Sequence, residues 1–371
     1  MYTETLLQKV VALTFIPGLN TVAALPVIRK CSGVEGLFLE KEKTLIRFCA
    51  EAGISLKPGA RSQALALAEK ELPHIEKHAI RICCAEESDY PFLLLQCTDA
   101  PFVLYYRGTL SDPAGKYLAV VGTRRASVRC KSRVHSLLEA LAGYAPRPVV
   151  VSGLAFGIDI SAHLAALEFG FTTYAVLGHG LHKVYPSEHR NTAERILAAG
   201  GALISEFPCT GETYKTHFLQ RNRIVAGLSH GVLIAESAVQ GGAMTTARIG
   251  VSYNRDVMAF PGRPEDLYAR GCNLLIKFSM AALVEEAGDV AAVLNLTRRK
   301  SRRPTAEIPG LFPEDERKAE LFALLSERGE RALDDLSLLC GIPAGELNVL
   351  LLQLQLEGKV IALPGSRYGV R

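Results

Sequence analysis

RPVVVSGLAFGIDISAHLAALEFGFTTYAVL, residues 147–177, decides the fold class of this chain. Residues 149–151 are a short apolar run without polar alternation, the pattern of a strand buried on both faces of a parallel sheet. Ser152-Gly153 supplies a tight turn. From Asp159 to Phe169 the residues Ile160, His163, Leu164 and Leu167 recur at three- and four-residue spacing, which predicts a helix. Residues 172–177 predict a second strand. Strand, glycine turn, helix and strand within about 30 residues make a βαβ unit, which belongs to a parallel sheet covered by helices. Such a turn gathers free backbone N–H groups at the positive end of a helix and so suits phosphate.

Outward from this unit the same pattern repeats. Short apolar runs ending in Gly, Ser or Pro predict strands at 118–121, 149–152, 173–177, 202–205, 232–236 and 257–260, with helical stretches between most of them. The expected architecture is α/β, a Rossmann-like doubly wound parallel sheet, which binds ligands beyond the carboxyl ends of its strands. The segments there are 122–127, 152–157, 178–183 and 236–246, and they carry glycines, hydroxyls and cations with little acid. That content faces phosphate.

Length and composition limit the alternatives. A chain of 371 residues exceeds one ordinary core, so two or three domains are expected. Apolar residues make up 49% and charged residues 22%, as in a globular protein, and no run of about 18 apolar residues offers a membrane span. The opening MYTETLLQKV lacks the basic region and apolar core of a signal peptide, and a cytoplasmic protein is expected. Nine cysteines, none in a CxxC pair, read as reduced and mostly buried thiols. The pairs His179/His182 and His74/His78 have helical spacing but no partner pair at finger-like distance, so no metal site and no cofactor are expected. The net charge of +4 permits a local basic groove.

Sharper motifs fail on spacing or topology. Residues 153–157 lack the GxGxxG spacing, and no GxxxxGK followed by Ser or Thr exists. Gly227-Leu228-Ser229-His230-Gly231 matches GxSxG, but its helix precedes and its strand follows the serine, the reverse of a nucleophile elbow. Asp159, Glu206 and Glu236 lie near the strand ends without a base–nucleophile pair, and Asp159 is read as a helix-start acid. What remains is cationic. Arg124, Arg125, Lys183, Lys215, Arg221 and Arg223 fall at or beside the strand ends, with Phe156, Tyr185, His217 and Phe218 between them. Cations that follow phosphates and rings that stack on bases, at about 1 to 3 kcal/mol per base, are what single-stranded nucleic acid requires.

Before the sheet, residues 3–13 and 22–29 read as helices flanking Phe15-Ile16-Pro17-Gly18-Leu19-Asn20, which predicts an N-terminal helical SAM- or helix-hairpin-helix-like module over 1–70. Residues 80–84 and 102–106 are strand-like and open the main domain, 71–296. After it, 297–313 is a basic, proline-punctuated linker. Residues 314–371 hold three helical stretches and two strand-like runs around Pro364-Gly365, a winged helix. Its third helical stretch, 344–357, contains no Arg or Lys, whereas a DNA-reading helix carries Arg, Lys, Asn or Gln toward base edges. This module is therefore expected to contact protein.

Residues 119–278 resemble the DNA-processing protein A (DprA/Smf) family in the blocks AVVGTRRAS, VVSGLAFGIDISAHLAAL, TYAVLGHGLHKVYP, GALISEF, HFLQRNRIVAGLS, ESAVQGGAMTTA and AFPGRPEDLYARGCNLLI. The resemblance implies a non-catalytic protein that binds single-stranded DNA, forms homodimers, protects incoming DNA and loads a RecA-type recombinase during natural transformation. It places the DNA-contacting arginine at Arg124, the lysine at Lys215 and the RNR block at Arg221-Asn222-Arg223. The expected DNA-binding set is completed by Arg125, Ser127, Gly153, Phe156, Gly157, Lys183, Phe218, Gly241 and Gly242. Phe156 stands where the family often has a cation, and Gly241-Gly242-Ala243 replaces Ser-Gly-Ser. The alternative is a nucleotide-processing enzyme of the lysine-decarboxylase-like (LOG) kind, whose PGGxGTxxE signature is broken by Gln240 and Arg248. Residues 271–283 are apolar enough to be a dimer surface.

Overall fold

The computed structural model describes residues 3–110, 115–299 and 313–370. The chain divides into two compact units, 1–300 and 301–371. Most of the predicted 297–313 linker lies outside the described residues. Its first two residues, Thr297–Arg298, pair as a short antiparallel ribbon with Tyr144–Ala145.

The first unit is built on nine strands, β1 (Arg81–Cys84), β2 (Val103–Gly108), β3 (Tyr117–Gly122), β4 (Val149–Ser152), β5 (Thr173–Val176), β6 (Ala202–Ser205), β7 (Gly231–Glu236), β8 (Asp256–Ala259) and β9 (Ala282–Leu283). Their order across the sheet is β1-β2-β6-β5-β4-β3-β7-β8-β9. β3 to β9 run parallel, and β1 and β2 add an antiparallel edge through β2 and β6. The six strands predicted from apolar runs all form. From β3 the chain winds outward through β4, β5 and β6, then returns to the other side of β3 at β7, so the winding direction switches at β3/β7.

Successive residues of a strand point to opposite faces, and the central strands are apolar on both. Leu118, Val120, Val150, Leu233 and Ala235 enter one core, covered by the helices Val128–Leu141, Ile158–Glu168 and Ala287–Leu294. Ala119, Val121, Val149, Val151, Val232 and Ile234 enter the other. That second core continues without a break into Val10, Val11, Leu13, Val27 and Ile28 of the N-terminal helices Glu4–Thr14 and Thr21–Lys30. The helix Ala60–Lys77 runs through position 70, and its Glu71 carboxylate accepts the Cys209 N–H at 2.6 Å and the Thr210 N–H at 2.8 Å. Asn20 is the N-cap of Thr21–Lys30, its Oδ1 accepting from the Ala23 N–H at 2.9 Å.

The second unit folds as Pro313–Arg328, Leu333–Cys340 and Ala344–Leu356, with the strands Arg331–Ala332, Arg367–Val370 and Val360–Leu363 in one antiparallel sheet. This is a winged helix around Leu321, Leu325, Leu336, Leu347, Leu351 and Leu354. Among the described residues no single helix is long and apolar enough to cross a membrane. All nine cysteines are free thiols, buried except for the half-buried Cys340.

Candidate nucleic-acid interface

A cleft of about 580 Å³ opens at the carboxyl ends of β3 and β7, where the winding switches. Its first wall is the turn after β3. The Thr123 N–H donates to the Glu236 carbonyl at 2.7 Å, and the Ser127 N–H donates to Glu236 Oε2 at 2.8 Å, so β7 fixes the turn that projects Arg124 and Arg125. Gly157, at φ +79°, makes a second close approach, since a Cβ there would strike the carbonyl of Thr123 and the backbone of Arg124. The second wall is the turn from Ala238 to Gly242, with Gly241 as N-cap of the helix Gly242–Ser252.

The third wall is the helix Lys215–Gly227. At about 100° per residue, Lys215, Phe218, Leu219 and Asn222 fall on one stripe, and all four line the cleft. Lys215 is exposed at the positive end of this helix. The Arg124 guanidinium lies 5.9 Å from the Phe218 ring centre, and the Tyr185 ring centre lies 5.6 Å from that of Phe218, so a cation and two rings gather at one point. Tyr185 is 56% exposed, leaving most of its ring for a ligand.

Arg221 forms the floor. It is 4% exposed, and its Nη1 faces Asp159 Oδ2 at 3.7 Å. Burial pushes the Asp159 carboxyl up while Arg221 and the N–H groups of Ala155 and Gly153 pull it down; burial lowers the Arg221 guanidinium while Asp159 raises it. Asp159 is the one carboxylate among the described residues lining the cleft, and it is committed to Arg221. Here the reading of Asp159 as a helix-start acid is incomplete, because it sits in the first turn of Ile158–Glu168 but is buried against a cation.

The chain matches the family model described as DNA recombination-mediator protein A over residues 81–295, and a DprA winged helix domain over 304–366. It is 35% identical to protein Smf of Escherichia coli K12 over 308 residues, 82% of this chain and 81% of that protein. The chain belongs to the DNA recombination-mediator protein A family. It is also 38% identical to the DNA processing protein DprA of Streptococcus pneumoniae R6 over 203 residues, 55% of this chain and 70% of that one. Among solved structures, DNA processing protein A of S. pneumoniae superimposes with a TM-score of 0.65 at 30% identity, covering 77% of this chain and 97% of that chain. DNA processing protein A of Helicobacter pylori, whose structure is described for its single-stranded DNA binding mode, matches with a TM-score of 0.50 at 27% identity over 58% and 95% of the two chains.

Of the residues expected to serve this family's function, the fold brings Arg124, Arg125, Lys215, Phe218, Arg221, Asn222, Gly241 and Gly242 to one cleft. The others are placed differently. Ser127 is the N-cap of Val128–Leu141, its Oγ accepting the Cys130 N–H at 3.1 Å. Gly153 lies beneath Arg221 as spacing, and Gly157 holds the first wall in place. Phe156 is 45% exposed and meets His189 edge to face at 4.8 Å, outside the cleft lining. Lys183 is exposed on the loop after β5, also outside the lining. Arg223 faces away, pairing with Glu206 and donating to the Asp99 carbonyl. Leu219, Thr246 and Tyr268 line the cleft and were absent from the expected set. The helix period through Lys215 and Asn222 carries a signal for Leu219, and Thr246 closes the strand-end segment 236–246; nothing local marks Tyr268.

Proposed function

We propose that this chain binds single-stranded DNA along the cleft, protects incoming DNA and passes it to a RecA-type recombinase, without catalysing a reaction on it. The observation that carries this reading is the meeting of Arg124, Lys215 and Arg221 with the rings of Phe218 and Tyr185. Phosphates follow the cations and bases stack on the rings, which needs no base-specific hydrogen bonds. Asp159, held by Arg221, is not free to act as a base. Hand-over to the recombinase rests on the family's mediator description. Self-association rests on Leu267, Phe278, Met280 and Leu283, all exposed in and beside the apolar 271–283 segment.

The test is fluorescence anisotropy of the full chain with labelled oligo-dT and with the matching duplex, across a salt series. Tighter binding to the single strand, with a steep salt slope that the Arg124→Ala/Lys215→Ala variant flattens by about 2, is expected. Duplex preference, or a slope untouched by both changes, refutes it.

A further inference from the structure

The strand-end chemistry does not stop at the cleft. Tyr185 stands at its mouth, and three residues earlier, within about 11 Å of chain, lies His182. The His182 ring centroid lies 6.3 Å from that of His74, in the last turn of the helix Ala60–Lys77, and 6.4 Å from that of His78, the C-cap of the same helix. The two histidine pairs that spacing alone left without partners therefore partly meet. Lys183, exposed, lies between His182 and Tyr185 in the chain.

Resting on the single-stranded DNA reading, we propose that a strand leaving the cleft past Tyr185 continues over a second phosphate track made by Lys183, His182, His78, His74, Lys77 and Arg107. The charge around these rings has one sign. Lys77, Arg107 and His74 act on His78; Lys183, His179, His74 and His78 act on His182. Glu71, on the same helix, is buried with its carboxylate taken up by the N–H groups of Cys209 and Thr210. Glu69 and Glu76 line a separate groove with Arg81 and with Arg107, which serves both surfaces. A metal cation is disfavoured by the same neighbours, and among the described residues no group of three ligands is placed to hold one.

Burial first, and these cations second, hold His78 and His182 below the usual histidine range. Both rings are neutral at neutral pH and gain a proton when pH falls. A phosphate stabilises the protonated ring, so binding over the track is linked to proton uptake.

The experiment compares a short oligo-dT that fills the cleft alone with one several nucleotides longer, at about pH 7.5 and about pH 5.5, using the full chain. The longer strand is expected to gain affinity on acidification by up to about tenfold per pH unit for each proton taken up, and the short one to gain far less. His78→Gln and His182→Gln each remove part of that gain while leaving the short oligonucleotide unaffected. Lys183→Ala, at an exposed position, lowers the salt slope of the longer strand alone by about 1. Equal pH gains for both lengths, or gains unchanged in the histidine variants, overturn the track, as does a Lys183→Ala slope equal to wild type. If the wild type binds neither oligonucleotide at neutral pH, the single-strand reading itself falls and the track with it.

Discussion

The guanidinium of Arg221 occupies the space that a side chain at position 153 would fill. A Cβ built on Gly153 falls on its Nη1, Cζ and Nη2 atoms. The glycine is thus required by what lies above it, since its own φ lies outside the left-handed region. Gly153→Ala is expected to displace Arg221 from Asp159 at a cost of about 1 to 3 kcal/mol, read as a lowered denaturation midpoint, together with weaker binding of oligo-dT. An unchanged midpoint contradicts this account of the cleft floor.

Asp159→Asn tests the same floor from the other side. It leaves Arg221 charged, buried and without its counter-ion. Breaking a buried pair by removing one member costs about 3 to 5 kcal/mol. Because both changes act through one guanidinium, Gly153→Ala/Asp159→Asn should destabilise by clearly less than the sum of the singles. Additive losses in urea titrations would mean that the two residues act independently.

The two arginines of the RNR block are expected to separate by assay. They lie two residues apart on Lys215–Gly227, about 200° around its axis, so Arg221 turns to the floor while Arg223 turns to Glu206 and Asp99. Arg223→Ala should cost about 2 to 4 kcal/mol in stability and leave the salt slope for oligo-dT unchanged. Arg124→Ala should leave stability within about 0.5 kcal/mol and lower that slope by about 1. A reduced slope in Arg223→Ala would place it on phosphate after all.

His163 gives the fold an acid limit. It is fully buried under β5, where its Nδ1 lies 2.7 Å from Thr173 Oγ1. The Thr173 hydroxyl donates to the Val150 carbonyl, so the histidine Nδ1–H is the donor to Thr173 Oγ1. Burial pushes its pKa down to about 3. A histidine depressed in the folded state stabilises above its unfolded pKa, near 6.5, and that contribution is lost as pH falls from there toward 3. The melting temperature should drop over this window, and His163→Asn should flatten the drop while lowering the plateau at neutral pH. An equally steep acid limb in the variant would assign it to other groups.

What was legible in the sequence follows from range. Strands such as β3, β4 and β7 are buried on both faces, so each announces itself as an apolar run ending at a glycine, serine or acid. The winged helix was legible for the same local reason. The attachment of β1 and β2 to β6 was not, because Arg107 pairs with Leu203 across 96 residues, a register that no local period encodes. Within the site the cations were visible as types, but their directions were not. The helix Lys215–Gly227 opens without a side-chain cap, so no local signal fixes its start, the stripe Lys215, Phe218 and Asn222, or the divergence of Arg221 from Arg223.

The winged helix yields the last prediction. Its helix Ala344–Leu356 buries Leu347, Leu350, Leu351 and Leu354 against its own small core. The opposite side is apolar too, with Val349 54%, Leu352 56% and Leu356 82% exposed at three- and four-residue spacing. Asn348 and Gln355 flank this stripe, but the helix has no Arg or Lys to meet a DNA groove; the apolar centre of the stripe matches the core of a protein interface. Removing residues 304–371 should therefore leave oligo-dT affinity and its salt slope nearly intact, because the cleft and the loop 178–186 belong to the first unit. Leu352→Asp in the full chain should likewise spare DNA binding, and it should abolish whatever protein contact the module makes, measurable as lost co-migration with a RecA-type recombinase. Loss of most DNA affinity on truncation would put the winged helix on DNA despite its leucines.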